Sequence, residues 1–324
     1  MHKERYTVMV KTKKPKTTTK TKNTTCTSSE RNESHDGGSS VVKSDISNYQ
    51  DVLLVMIGDS DIAYWPDNLI PSISACERRR RSGSRRRQND EENGDVDDDD
   101  GDRTESNDND NGDVDNIEII KRGKSGATLK EIIPDLLSVM EELRQRPHSK
   151  RRMIIVACAG ENDIGEGISL DSSLAALHEF LDVVFSSLQS SSSSLEAHSK
   201  HLIFLGPKFE PWLDADDDRK TNLQNKQLYS KMSRNFERCC KEYNNNNNND
   251  NNNHNTTPSS SIYYVDCLTM FCTNETKTIP GAILGGKAKA DAIYFQSDQL
   301  HLNSNGYQIW KTTIEDIIIN NNIV

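Results

Sequence analysis

Four short polar segments of the sequence hold residue types that could act together in acyl transfer. Hydrolysis of an ester by a serine side chain requires a nucleophile, a base, a group that orients the base, and donors for the negative oxygen of the intermediate. The chain offers at least one candidate for every role. The candidate residues are Ser60, Gly126, Asn162, Asp298 and His301.

The spacing of these residues assigns a role to each. Ser60 would supply the attacking hydroxyl, and His301 would take its proton. Asp298 lies three residues before His301, and on a turn a carboxylate at that spacing reaches imidazole Nδ1 and fixes the tautomer. The oxyanion donors would be the backbone N–H groups of Ser60 and Gly126 and the side-chain amide of Asn162. Gly126 suits this role because it has no Cβ to block a substrate.

Each candidate also has an ordinary structural explanation when it is taken alone. Ser60 follows Gly-Asp, which is common turn chemistry and could simply cap the end of a strand. Asp298 and His301 could be a helix-entry cap and a surface histidine, and Asn162 could be a turn residue. Catalysis is favoured because every candidate follows a predicted strand or lies on a loop at one end of the predicted sheet.

The elements that must position these residues are visible as apolar runs. Five apolar runs, the first of them rich in Val and Ile, predict buried strands: Val52–Ile57, Ile117–Ile120, Met153–Ala159, Leu202–Leu205 and Ile262–Val265. Between and after them, helices are predicted at Leu129–Arg146, Leu174–Leu188, Asn222–Tyr243 and Gly306–Ile319. This alternation predicts an α/β fold with a parallel sheet covered on both faces. Ligands bind such sheets outside the carboxyl ends of the strands.

The polar segments resemble the four sequence blocks of the SGNH (GDSL-type) hydrolases, in the same order. The blocks are Gly58-Asp59-Ser60, Gly126 within Ser-Gly-Ala-Thr, Gly160-Glu161-Asn162-Asp163 and Asp298-Gln299-Leu300-His301. The resemblance covers roughly residues 50–319 without the insertions. It implies a three-layer α/β/α, flavodoxin-like, doubly wound parallel sheet of five strands in the order 2-1-3-4-5. It also implies a Ser60 nucleophile, a His301 base oriented by Asp298, and an oxyanion hole from Ser60, Gly126 and Asn162.

The chain departs from the family pattern directly after the serine, where the family often has Leu and this chain has Asp61. A carboxylate beside the nucleophile would repel anionic substrates. Phe209 and Trp212 follow Gly206-Pro207 at the end of the fourth predicted strand. We therefore interpret Asp61, Phe209 and Trp212 as candidate substrate contacts, although the two aromatic residues could equally pack the loop.

Composition is uneven along the 324 residues. Only 33% are hydrophobic and the mean hydropathy is −0.78, because four low-complexity segments hold few large apolar residues. Residues 1–45 are predicted to be a disordered tail. Residues 50–319 are predicted to form one domain with low-complexity insertions at 77–116, 190–200 and 244–260, and without them the composition is that of an ordinary globular domain.

Charge and cysteine usage limit the partners and the compartment. A net charge of −10 argues against a nucleic-acid partner. The seven cysteines show no zinc-ligand spacing, so we predict neither a metal nor another cofactor. No apolar run of 18 residues is present, which predicts no transmembrane helix. Cytoplasm is the predicted location. The Lys- and Thr-rich N-terminal segment leaves an organelle as the alternative.

The sequence therefore predicts a serine esterase that acts on a small-molecule ester, either an acetylated carbohydrate or a lipid ester. The alternative is a catalytically silent binding or scaffold module on the same fold, with the charged segment 77–116 as its interaction element. The intact set of Ser60, Asn162, Asp298 and His301 favours the enzyme, because a silent module need not keep all four.

Overall fold

A computed structural model of the chain describes residues 52–80, 117–145, 152–186, 199–214, 219–249, 260–273 and 288–324. The predicted tail, 1–45, lies outside the described residues, and so do most residues of the three predicted insertions. Within the described ranges, no helix is both long and apolar enough to cross a membrane.

Five parallel strands form one sheet. They are β1 (Val52–Gly58), β2 (Ile117–Gly123), β3 (Arg152–Cys158), β4 (Lys200–Leu205) and β5 (Ser260–Val265). Their order across the sheet is β2-β1-β3-β4-β5, and every neighbouring pair is parallel. The predicted fold class and strand order are confirmed. The chain order reverses between β1 and β3, so their carboxyl ends flank a crevice.

Helices connect the strands and cover both faces of the sheet. They are α1 (Ser60–Ala63), α2 (73–80), α3 (Leu129–Arg144), α4 (Glu161–Gly165), α5 (Leu170–Ser186), α6 (Arg219–Asn249) and α7 (Ser304–Asn320). The four longer helices match the predicted ones. The largest difference is in α6, which begins earlier and continues into the Asn tract. Asn244 explains part of this extension, because its amide exchanges two hydrogen bonds with the backbone of Ile262 on β5, at 2.8 and 2.9 Å.

Alternate side chains of β1 enter different cores. Leu53, Val55 and Ile57 pack in the core that includes residues of α3, α5 and α6. Leu54 and Met56 face the other core, which includes residues of α2 and α7. Side chains of a strand alternate between the faces of its sheet, and the apolar run of β1 satisfies both faces. A buried central strand therefore carries the segment that follows it, Asp59-Ser60, to the carboxyl edge of the sheet.

Candidate active site

β1 ends at Gly58, Asp59 follows it, and Ser60 is the first residue of α1. The connection between β1 and α1 is tight. Asp59 N donates to the carbonyl oxygen of Cys158 on β3 at 3.2 Å, and a Cβ added at Gly58 would lie 2.2 Å from that same oxygen. The Asp59 carboxylate caps α1 by accepting the N–H of Asp61 at 3.0 Å. This packing fixes the direction in which the chain leaves the sheet and places Ser60 at the crevice.

The Asp298–His301 turn forms the predicted pair. His301 Nδ1 lies 2.6 Å from Asp298 Oδ2, while Oδ1 accepts the backbone N–H groups of Leu300 at 3.0 Å and His301 at 3.1 Å. With its other oxygen committed to these donors, the carboxylate fixes the Nδ1–H tautomer and leaves Nε2 free to accept a proton. The rings of Tyr64 and His301 pack in a T-shaped arrangement, with 4.9 Å between ring centroids.

Opposing effects act on the pKa of Asp298. Partial burial alone would raise that pKa, but the hydrogen bonds from the His301 ring and from the N–H groups of Leu300 and His301 outweigh burial and lower it below its ordinary value. The carboxylate therefore stays ionised at any pH near neutrality. It is available to stabilise an imidazolium that forms on His301 during a reaction.

Asn162 lies in α4, directly after β3. Its amide nitrogen donates to the carbonyl oxygen of Ala127 at 3.0 Å and, at 3.4 Å, to Asp59 Oδ2. The second bond is long, so an acyl oxygen entering the site could compete for that hydrogen. Burial, followed by the charge of Asp61, raises the pKa of Asp59 to about 8. Asp59 is thus protonated at neutral pH, which further weakens its hold on Asn162.

A cavity of about 410 Å³ lies at the carboxyl edge of the sheet. Six of the eight predicted site residues line it: Ser60, Asp61, Asn162, Trp212, Asp298 and His301. Among the described residues, Ser60 Oγ has no hydrogen-bond partner, so the contact between Ser60 and His301 is not formed in this state. Catalytic hydrogen bonds are often loose until a substrate binds.

Two predicted site residues do not line the cavity. Gly126 has φ +72, and a Cβ there would meet no atom within 4 Å. Its backbone conformation, rather than room for a substrate, is what calls for glycine. Phe209 is fully buried and packs on Tyr229, with 6.3 Å between the ring centroids. Packing of the loop, the other role considered for Phe209, accounts for this position.

The structure corrects the expectation that Asp61 charges the site. Asp61 is only 1% exposed, and its Oδ2 lies 2.6 Å from Lys208 Nζ. An ion pair of this kind neutralises the carboxylate. Asp61 therefore provides no reason to expect that anionic substrates are repelled.

Sequence reasoning missed the buried charges beneath the cavity. Lys208, Glu161, Glu210 and Tyr229 also line it. Burial alone would lower the pKa of Lys208, but the carboxylates of Asp61, Glu161 and Glu210 hold that pKa well above its ordinary value. Burial also raises the pKa of Glu161 and Glu210. The sequence signal was a lysine and a glutamate flanking Phe209 in a loop that directly follows a fully apolar strand.

One cluster of donor atoms has the dimensions of a metal site. Ligand atoms of Asp59, Asp61 and Cys158 lie within 4.8 Å of one another. Burial, with the nearby charges of Asp59 and Asp61, holds the pKa of Cys158 well above its ordinary value, so the thiol is not a ready ligand. Lys208 already provides the cation that Asp61 pairs with. We assign no metal to this cluster.

No family model matches the chain, and neither does any curated protein sequence. Solved structures do match it. A member of the lipolytic G-D-S-L family from Veillonella parvula is 13% identical, with 83% of this chain and 97% of that chain covered and a TM-score of 0.38. The psychrotrophic esterase EstA from Pseudoalteromonas is 12% identical, with 83% and 98% covered and a TM-score of 0.42. Est24, a carbohydrate acetylesterase from Sinorhizobium meliloti, is 10% identical, with 83% and 99% covered and a TM-score of 0.41.

The chain thus resembles SGNH hydrolases in its sequence blocks, and GDSL-type proteins and esterases are among the solved structures that it matches. At these identities and TM-scores, the matches carry no inference about activity.

Proposed function

We propose that the protein is a serine esterase that hydrolyses carboxylic esters through an acyl-enzyme on Ser60. The observation that carries this proposal is the 2.6 Å contact between His301 Nδ1 and Asp298 Oδ2, in a cavity that Ser60 and Asn162 also line. A surface histidine with only a structural role does not require an orienting carboxylate beside a half-buried serine.

The first half-reaction transfers the acyl group to the enzyme. Ser60 Oγ attacks the ester carbonyl while His301 Nε2 takes the hydroxyl proton. The negative oxygen of the tetrahedral intermediate is held by the backbone N–H of Ser60 and the amide of Asn162, with Gly126 N–H as the third donor that the family resemblance implies. The intermediate then expels the alcohol, which leaves with the proton from His301.

The second half-reaction restores the enzyme. A water molecule gives a proton to His301 Nε2 as its oxygen attacks the acyl carbon. The new intermediate breaks its bond to Ser60 Oγ, which takes the proton back, and the carboxylic acid is released. Asp298 remains ionised throughout and stabilises each imidazolium as it forms.

The cavity favours a short acyl group. Its volume of about 410 Å³ is near the lower end of the range for small-molecule sites. The charged groups of Glu161, Lys208 and Glu210 at its wall are buried and paired with one another, so they present little polar surface to a substrate. Because the volume limits the length of the acyl chain, we propose, between the two predicted substrate classes, an ester with a short acyl group such as an acetylated carbohydrate rather than a long-chain lipid ester.

A fluorophosphonate probe tests the proposal directly. We expect the probe to label the wild-type protein once, with Ser60 as the modified residue by mass spectrometry, and to abolish hydrolysis of p-nitrophenyl acetate. Hydrolysis of p-nitrophenyl esters should fall as the acyl chain lengthens from two to twelve carbons. Labelling at another residue, or hydrolysis that survives complete labelling, would contradict the proposal.

A further inference from the structure

We propose that Lys208 is a positioning residue for this reaction: its buried ammonium group fixes the position of the Ser60 helix relative to the Asn162 helix at the floor of the cavity. The inference rests on the proposed function. Lys208 follows β4 and is 1% exposed. Neither the four sequence blocks nor the proposed mechanism gives it a role.

The contacts of Lys208 join three loops that come from three neighbouring strands. Its Nζ lies 2.6 Å from Oδ2 of Asp61, the residue after the nucleophile. It lies 2.7 Å from Oε2 of Glu161, the residue before Asn162. A third carboxylate, that of Glu210, lies at 3.4 Å. The backbone N–H of Lys208 adds a bond to Glu161 Oε1 at 2.8 Å. One side chain thus links the segments after β1, β3 and β4.

The helix α7, which follows the His301 turn, also reaches this network. Trp310 lies 5.9 Å from the ammonium group, measured to its ring centroid. The Tyr307 hydroxyl donates to the carbonyl oxygen of Asp61 at 2.9 Å. Both residues are nearly fully buried. The network therefore touches the segment that leads from the base, as well as the nucleophile and the oxyanion donor.

The ammonium group of Lys208 is fully paired, although Oδ1 of Asp61 is buried without a hydrogen-bond partner among the described residues. The full pairing of the ammonium group argues for positioning rather than for binding a negative charge of the substrate. An ammonium group has three hydrogens, and three carboxylates surround it. Glu161 uses both of its oxygens on Lys208. Glu210 Oε2 accepts from the Trp212 indole N–H and from the Tyr229 hydroxyl. A substrate would have to break one of these bonds to reach the charge.

Loss of Lys208 would let the Ser60 and Asn162 helices shift relative to each other, because it leaves the carboxylates without their cation. Breaking a buried ion pair on one side leaves an uncompensated charge, which the protein relieves by protonation or by local movement. Either response changes the hydrogen bonds that hold Asp61 and Glu161 in place. A displacement of about 1 Å in a catalytic group costs about 100-fold in rate.

The chain provides a matched control in Lys226. This lysine is also nearly fully buried, at 3% exposed. It pairs with Asp214, donates to the carbonyl oxygen of Ala288 at 2.6 Å, and lies over an aromatic ring, that of Phe209, at 5.7 Å. It is not part of the cavity lining. Lys226→Met removes the same kind of buried ion pair without touching the proposed reaction.

The experiment compares Lys208→Met with Lys226→Met in the full chain, using p-nitrophenyl acetate hydrolysis, the rate of Ser60 labelling by a fluorophosphonate, and thermal unfolding. We expect both variants to lose stability. Lys208→Met should lower kcat about 100-fold with KM within about threefold, and should slow labelling by a similar factor. Lys226→Met should keep kcat and labelling within about threefold of wild type.

Three results would overturn the proposal: an equal loss of kcat in both variants, unchanged kcat in Lys208→Met, or a loss confined to KM. If Lys208→Met does not fold, Asp61→Ala replaces it, since it removes the acceptor that links Lys208 to the Ser60 helix and leaves Lys208 paired with two glutamates. A roughly tenfold loss of kcat at constant KM supports positioning, and unchanged kcat overturns it. A wild-type protein that the probe does not label would refute the proposed function instead.

Discussion

The two sides of the cavity are held together in different ways. On the nucleophile side, Lys208 and Asp61 are each 1% exposed, and their ion pair joins residues 147 positions apart. On the base side, the Asp298 side chain is 46% exposed, and its hydrogen bonds reach only residues two and three positions away. The proposed nucleophile therefore depends on the whole fold for its geometry, whereas the proposed base is held by its own turn.

The largest effect is expected from Ser60→Ala. Activity should fall by at least about 10⁴-fold, because removal of a catalytic nucleophile costs several orders of magnitude. The thermal midpoint should stay within a few degrees, since the lost hydroxyl bonds to no other described residue. Ester hydrolysis and a thermal melt measure both. The exposed Ser172, replaced by Ala, serves as the control and should keep full activity. Retention of a tenth of wild-type activity by Ser60→Ala would refute the assignment.

Asp298→Asn should act on rate and not on stability. The amide oxygen still accepts the backbone N–H groups, but an amide cannot stabilise an imidazolium, so kcat should fall about 10³-fold. The thermal midpoint should change by no more than about 2 °C because the side chain is exposed. Asp291 is the matched control, since it too caps a turn by accepting a backbone N–H, from Ile293 at 3.2 Å. Full activity in Asp298→Asn would remove His301 as an oriented base.

The burial of Asp59, beside Ser60, should be visible in the pH dependence of the free energy of unfolding. The folded state keeps a proton on Asp59 up to about pH 8, whereas the unfolded carboxyl, with a pKa of 3.8, has already lost it. The contribution of Asp59 to stability therefore falls as the pH rises from about 4 to about 8, by about 1.4 kcal/mol per pH unit for one such proton, and it is constant above that window. Burial lowers the pKa of His201 to about 4, so His201 contributes the opposite slope up to its ordinary value of 6.5.

Denaturant unfolding between pH 5 and pH 8 measures this slope. Asp59→Asn should reduce this slope, because an amide does not titrate. Part of the slope should remain in the variant, because burial also raises the pKa values of Glu161 and Glu210. Asp298→Asn should leave the slope unchanged, since the lowered pKa of Asp298 affects stability only at more acidic pH. An Asp59→Asn variant with the same dependence of stability on pH as the wild-type protein would contradict the buried, protonated state of Asp59.

The smallest effect is expected at the cavity wall. Trp212→Ala should raise KM about fivefold and leave kcat within about twofold, because Trp212 lines the cavity but contacts neither Ser60 nor His301 by a hydrogen bond. Phe209→Leu should instead affect stability and not substrate binding. Loss of buried aromatic volume should lower the thermal midpoint without changing KM. If Phe209→Leu changes KM as much as Trp212→Ala does, Phe209 also affects substrate binding. The separate roles of Trp212 in the cavity lining and of Phe209 in packing of the loop would then be refuted.

The sequence was sufficient for the sheet and for the contact between Asp298 and His301. The strand assignments follow from local apolar runs such as Val52–Ile57, whose burial on both faces requires helices on both sides. The strand order came from the family resemblance. The relation between Asp298 and His301 could be predicted because a separation of three residues on a turn is a local fact. The contact at 2.6 Å is the predicted one.

The charge network was beyond sequence reasoning because its contacts are not local. Asp61 directly follows Ser60, and for that reason the sequence predicts that it acts on the substrate. What buries and neutralises Asp61 is Lys208, which lies on a different strand's loop. Nothing in the spacing connects the two residues. Phe209 shows the same limit, since alternate residues of one loop face the cavity and the core, and the loop has no regular period.

The turn that holds Asp298 and His301 has a consequence for protein engineering. Most hydrogen bonds of residues 295–302 join two residues of that segment: an antiparallel bridge between Phe295 and Leu302 closes it, and Gln296 N donates to the carbonyl oxygen of His301 at 2.8 Å. Phe295 and Leu302 are also buried in the core. Grafted between two chain ends at the spacing of that bridge, on an unrelated scaffold that buries these two side chains, the segment should present an oriented imidazole. The φ of +58 at Gln299 marks the position where the graft should take Gly or Asn.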